Sequence, residues 1–255
     1  ILNQSALVMN KSTNNGATLG GNISGPGTIT VKSGSLLLGG TNTYTGATVI
    51  ETGDISIRNS LALGDPAVGT VIQNGGSVRA QTLGTWVVPE PISVVGEGYA
   101  GFPGAIYANT VSNNVTFSGP ISLAGPTRFR AVNNYVQMSF ANTVLGDQTP
   151  LRVTSDGTGT RVTFKDTLNL GNTAALAKDG TGSIVLSGAT NIAASTTVDA
   201  GTLQVLTTNS PQIGEVTMTT GTLQIGDGGY NGSFPNGLVN LVAGTSTLSV
   251  SSSNT

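Results

Sequence analysis

The sequence predicts an all-β chain wound as a parallel, three-sided β-helix of about 20 residues per turn, and three observations lead there. One phrase, Gly-x-Φ-x-Φ with Φ aliphatic, recurs at Gly34–Leu38, Gly53–Ile57, Gly76–Ala80, Gly182–Leu186, Gly201–Val205 and Gly221–Ile225. The first two glycines and the last three keep a nearly constant spacing close to twenty, which marks a geometric unit. Inside each phrase the apolar residues alternate, the period of a strand with one face inward and one outward. Composition agrees: glycine and threonine occur 37 times each, serine 24 and asparagine 22, while glutamate and lysine, the usual surface helix formers, occur four times each.

The elements follow in order. Ile29-Thr-Val31 is a strand, and Lys32-Ser-Gly34 is a corner whose glycine can take positive φ. Ala47-Thr-Val-Ile50 adds a further short strand, Glu51-Thr-Gly53 the next corner, and Ile55-Ser-Ile57 the next strand. Gln73-Asn-Gly-Gly76 and Asp199-Ala-Gly201 are corners of the same kind, and Ser195–Val198, Leu203-Gln-Val205 and Leu223-Gln-Ile225 repeat the strands. Residues 124–175 follow the phrase poorly and are expected to hold irregular turns. Roughly twelve coils stacked at about 4.8 Å give a rod on the order of 60 Å. An antiparallel sandwich also has many short strands, but its strands need not repeat one phrase.

Charge and residue inventory exclude several functions. Charged residues are 9% of the chain, far below the usual quarter, and the net charge is −2. With 37% hydrophobic residues this is a folded, weakly charged chain. Ten scattered lysines and arginines make no basic stripe for nucleic acid. No apolar run is long enough for a membrane-spanning helix. Cysteine and histidine are absent, so no disulfide, zinc site or histidine-based triad can be assembled.

Several segments carry a resemblance. Gly182–Asn191 followed by Thr196–Gln204, and Gly27–Val31 through Leu38-Gly-Gly-Thr-Asn-Thr-Tyr-Thr-Gly46, resemble the autotransporter-associated β-strand repeat of large bacterial surface and secreted proteins, and Pro91–Ile106 with Phe117–Leu123 is similar to a segment common in the same proteins. Asn191-Ile-Ala-Ala lacks the aromatic of Tyr44, so that corner is expected to pack differently. The resemblance implies right-handed coiling, which parallel crossovers also favour. It implies an extracellular or cell-surface location, and a membrane barrel elsewhere in a longer parent protein. Residues 1–255 are then a single solenoid segment, with 86–140 its aromatic-rich, less regular part.

Candidate sites are few. Glu51 and Asp54, the closest acids, flank a corner glycine and read as a solvated turn rather than as a catalytic pair. Val95–Gly101 matches Gly-x-Gly-x-x-Gly, but Phe102-Pro-Gly104 follows where dinucleotide binding needs a helix. Gly226-Asp-Gly-Gly229 occurs once and reads as a plain turn rather than a calcium coil. No metal or cofactor is expected. Eight of the twelve aromatics lie between residues 86 and 140. Trp86, Tyr99 and Tyr107 are the candidate contacts for a ligand or partner, Trp86 being the most loop-like, with stacking inside the coil the competing reading.

The expected function is non-enzymatic: a rigid shaft or self-assembling fibre module whose partners are further copies or neighbouring segments of the parent chain. A glycan or a host or cell-surface protein is a further candidate partner. The alternative is a carbohydrate-binding or carbohydrate-cleaving β-helix that uses the 86–140 aromatics.

Overall fold

The computed structural model describes residues 1–11, 16–81, 83–100, 102–207, 209, 211–227, 238–242 and 245–250. The described residues form strands, corners and loops without a helix, and nearly every strand pairs in parallel with strands one turn earlier and later. The coil makes about 10 turns of roughly 23 residues. At about 4.8 Å per turn the stack is ~50 Å long.

Three walls enclose the lumen. Wall A begins with Ala6–Asn10 and the first part of Thr28–Leu38, continues through Thr48–Ile50, Thr70–Ile72, Ile92–Gly96 and the first part of Ile121–Val132, and ends in the short rungs Val144–Leu145, Leu168–Asn169 and Asn191–Ile192. Wall B runs from Ala17–Leu19 through the second part of Thr28–Leu38, Gly53–Ile57, Ser77–Ala80, Ile106–Ala108, the rest of Ile121–Val132, Leu151–Asp156, Ala175–Asp179, Ser195–Val198 and Glu215–Met218 to Val239–Leu241. Wall C opens at Gly84–Val88 and passes through Asn113–Phe117, Gln137–Phe140, Arg161–Phe164, Ser183–Leu186, Thr202–Val205 and Gly221–Ile225 to Ser246–Val250. Before Gly84 the third side is only the short pair Ser24–Gly25 and Thr43–Tyr44.

The turn is therefore wider than the phrase suggests. Gly34 pairs with Gly53 and Ile184 with Leu203, one phrase spacing on, whereas Val78 pairs with Ile106 and Trp86 with Val115, a step nearly half as long again. The extra residues build wall C and an outlying hairpin, Gly98–Tyr99 against Phe102–Pro103.

The repeat also changes wall. The phrase glycines Gly34, Gly53 and Gly76 open strands of wall B, whereas Gly182, Gly201 and Gly221 open strands of wall C. Wall A shrinks to rungs of two residues from Val144 onward while wall C keeps strands of four residues, and the phrase passes from wall B to wall C along the rod.

Through residues 124–175 the corners are irregular, with Asn133, Tyr135 and Gln148 at positive φ, but the strands between them are not. Phe129 pairs with Val153, Val153 with Lys178, and Met138 with Val162, continuing the ladders without the glycine phrase. Alternation suffices there: Phe129 and Ala131 point into the core while Arg128 and Arg130 face out.

The lumen is filled by one column per inward position. On wall C, Val88, Phe117, Phe140, Phe164, Leu186, Val205 and Ile225 follow each other in register, all buried. The rings of Phe117 and Phe140 stack at 5.6 Å, those of Phe140 and Phe164 at 5.3 Å, and Phe129 reaches Phe140 from wall B at 4.7 Å. Corner glycines permit the stacking: at Gly188 a Cβ would overlap the Asp166 carbonyl oxygen one turn below.

Candidate functional site

The sequence-selected aromatics do not form an exposed row. Trp86 lies on a wall C strand with its ring turned to the core, 9% exposed, and its Nε1–H donates to Asn113 Oδ1 at 2.9 Å. It is thus a strand residue, contrary to its loop-like setting between Gly84 and Pro89. Tyr107 faces outward on wall B yet is only 6% exposed, because the Arg130 guanidinium lies 5.5 Å from its ring centre. Tyr99 sits in the outlying hairpin, half-buried, where its N–H donates to Ser77 Oγ at 2.7 Å. Tyr135, at φ 60° on a corner, is 58% exposed.

The outer face of wall B gathers the charge. Asp54 is fully buried and accepts from Ser35, Ser56 and Arg79, the last at 2.9 Å. This corrects the solvated-turn reading of Glu51 and Asp54: the strand pairing Asp54↔Ser77 and Ser56↔Arg79 lays the guanidinium against the carboxylate. Further along the same wall, Arg152 Nε donates to Asp179 Oδ2 at 2.7 Å and Arg128 Nε donates to Thr154 Oγ1 at 2.9 Å. The Gly-x-Gly-x-x-Gly stretch enters the short antiparallel hairpin rather than a helix, so it cradles no phosphate in the manner of a dinucleotide fold. Of Gly226-Asp-Gly-Gly229, the last two residues lie outside the described residues.

Two buried ionisable groups, Glu90 and Lys178, carry no signal in the local sequence. Glu90, between Pro89 and Pro91, accepts from Thr70 Oγ1 at 2.8 Å; burial pushes its carboxyl up to about 7, with the Thr70 bond opposing and Asp65 adding to the shift. Nearby, Tyr44 Oη and Thr48 Oγ1 share a hydrogen bond at 2.5 Å, and burial raises the phenol. Lys178 occupies an inward position of wall B between Val153 and Val198. Its Nζ donates to the carbonyls of Asp179 and Gly180 at 3.0 and 2.7 Å, and burial lowers it to about 8. Within the alternation of Ala175–Asp179 this lysine stands where an aliphatic residue is expected.

Among the described residues no group of His, Cys, Asp and Glu could hold a metal ion, and no helix is long and apolar enough to cross a membrane. A cavity of about 360 Å³ lies on the outside of wall A over Leu145, Asn169 and Ile192. A second of about 200 Å³ lies over Val71, Ser93 and Ser122.

No curated protein and no solved structure matches the chain. Residues 33–57 and 176–205 match the family model of the passenger-associated-transport-repeat. Each match contains a phrase-to-phrase step of the coil, the first on wall B and the second on wall C. The chain therefore carries, at these two places, the autotransporter-associated repeat that its glycine phrase resembles.

Proposed function

We propose that this chain is a rigid, non-enzymatic shaft segment of a surface or secreted bacterial passenger-type protein. The observation that carries the reading is the run of turn-to-turn parallel ladders around one filled lumen. A rod whose every rung is bonded along its axis resists bending, because bending must stretch backbone hydrogen bonds and shear the inward columns. The passenger-associated repeat supports a location outside the cell.

The outermost rungs suit extension. Among the described residues, Ala6–Asn10 pairs only with the following turn and Ser246–Val250 only with the preceding one. A further coil, of the parent chain or of a second copy, would continue these ladders by the same turn-to-turn pairing.

Negative-stain electron microscopy across a concentration series tests the proposal. Straight rods of uniform width, single or joined end to end, are expected. Compact round particles, or rods that bend freely along their length, overturn it.

A further inference from the structure

We infer that the outer surface of wall A is a binding groove for a neutral glycan chain lying along the rod. Its floor is one outward column in continuous register: Val71, Ser93, Ser122, Leu145, Asn169 and Ile192. The two cavities over this column together cover six consecutive rungs, ~24 Å of length at the turn spacing.

The polar groups of the larger cavity are held in place. Gln148 stands at φ 54°, a conformation that side-chain-bearing residues rarely adopt, and its amide lies flat across Gly171, where a Cβ would come within 2.7 Å of Nε2. The Thr173 N–H donates to Gln148 Oε1 at 2.9 Å, and the Gly171 N–H donates to Asn169 Oδ1 at 2.9 Å. A backbone N–H must meet an oxygen, so these bonds fix which end of each amide is which. Both side chains are left with their NH₂ groups as the donors they offer to a ligand. Asp147 and Asn172 complete the lining, while Leu145, 47% exposed, and Ile192 supply an aliphatic floor.

This lining selects the occupant. No lysine or arginine lines either cavity and Asp147 is acidic, so a polyanion finds no counter-charge. Along the column the backbone N–H and C=O groups are committed to the ladders, so an extended peptide has no edge to join as an added strand. Oriented amide donors, a carboxylate acceptor and apolar ground between them match a ligand with many hydroxyls and apolar ring faces. The rungs of the floor recur with every turn, as the units of a sugar chain recur along its length.

Titration calorimetry on the whole chain tests this with hexaoses of β-linked glucose, mannose and N-acetylglucosamine, and with hexagalacturonate as the anionic probe. At least one neutral hexaose is expected to bind, more tightly than its own disaccharide. Affinity should fall at least ten-fold in Gln148→Gly and in Ile192→Asp and stay unchanged in Thr163→Ala on wall C. Gln148→Gly relieves the positive φ, so its thermal midpoint should hold or rise while binding is lost, which separates recognition from folding. Binding by none of the neutral hexaoses, by hexagalacturonate alone, or with equal affinity in Gln148→Gly overturns the inference. None of these results bears on the shaft, whose test is the shape of the particle.

Discussion

Arg79 Nη2 lies 2.9 Å from Asp54 Oδ2 and both side chains are almost wholly withdrawn from water, 10% and 0% exposed. Removing one partner strands a buried charge, a change that costs about 3–5 kcal/mol. Asp54→Ala should therefore lower stability by that order, while the double replacement Asp54→Leu with Arg79→Met should recover much of it. Urea denaturation of the single and the double variant provides the check. Equal losses in the single and double variants would mean that the pair contributes through packing alone.

Phe140 touches three other rings, those of Phe117, Phe129 and Phe164. Phe140→Ala should cost about 3–5 kcal/mol through lost burial and a cavity at the centre of the stack. Phe140→Leu should cost visibly less, since Leu186 and Val205 fill the same column further on. A thermal melt of both variants decides whether the ring column or aliphatic volume matters.

Glu90 ties stability to acidity. Its carboxyl is raised from 4.5 to about 7, so the folded chain holds a proton that the unfolded chain has released. Stability is full below pH 4.5, falls as pH rises to about 7, and is level above that, a loss of about 3 kcal/mol at most. Glu90→Gln should flatten this slope and be the more stable protein above the folded-state value. A pH series of denaturation midpoints on both proteins measures it, and parallel curves would contradict the assignment.

Lys178 works in a separate window with the opposite slope. Burial lowers it from 10.5 to about 8, so the unfolded chain binds the extra proton and stability rises between pH 8 and pH 10.5. Lys178→Met should abolish that rise but expose the cost of leaving the Asp179 and Gly180 carbonyls without their donor, about 1–3 kcal/mol at neutral pH. Denaturation at neutral pH and again near the upper end of that window reads both effects.

Corner glycines should divide sharply by contact. Gly188→Ala drives a methyl group into the Asp166 carbonyl of the turn below and should lower the melting temperature by several degrees, whereas Gly20→Ala meets nothing within 4 Å and should change little. Similar midpoints for the two variants would mean that the turn spacing is softer than the ladders imply.

The glycine phrase makes the architecture legible, since a repeated turn residue followed by strict alternation leaves few alternatives to stacked coils. It does not reveal the turn length between Gly76 and Gly182, where the phrase does not recur and the turns widen, although from Gly182 onward phrase spacing and turn length agree again. Through 124–175 the ladder persists on alternation alone, and Arg128-Phe-Arg130 shows why the phrase does not report it: its outward residues are cationic and its inward residue aromatic. The burial of Asp54 depends on Arg79, one turn further along the chain, and no local pattern reports a contact across a turn. The groove on wall A is hidden for the same reason. Leu145, Asn169 and Ile192 are neighbours only once the coil is wound.

Because the repeat pattern migrates from one side to the next along the axis, equivalent corners in the two family-matched turns face different compass directions, about a third of the circumference apart. A loop grafted at the same phrase position in each would project to separate flanks. A shaft containing both kinds of turn would carry its decorations on two flanks rather than in a single rank.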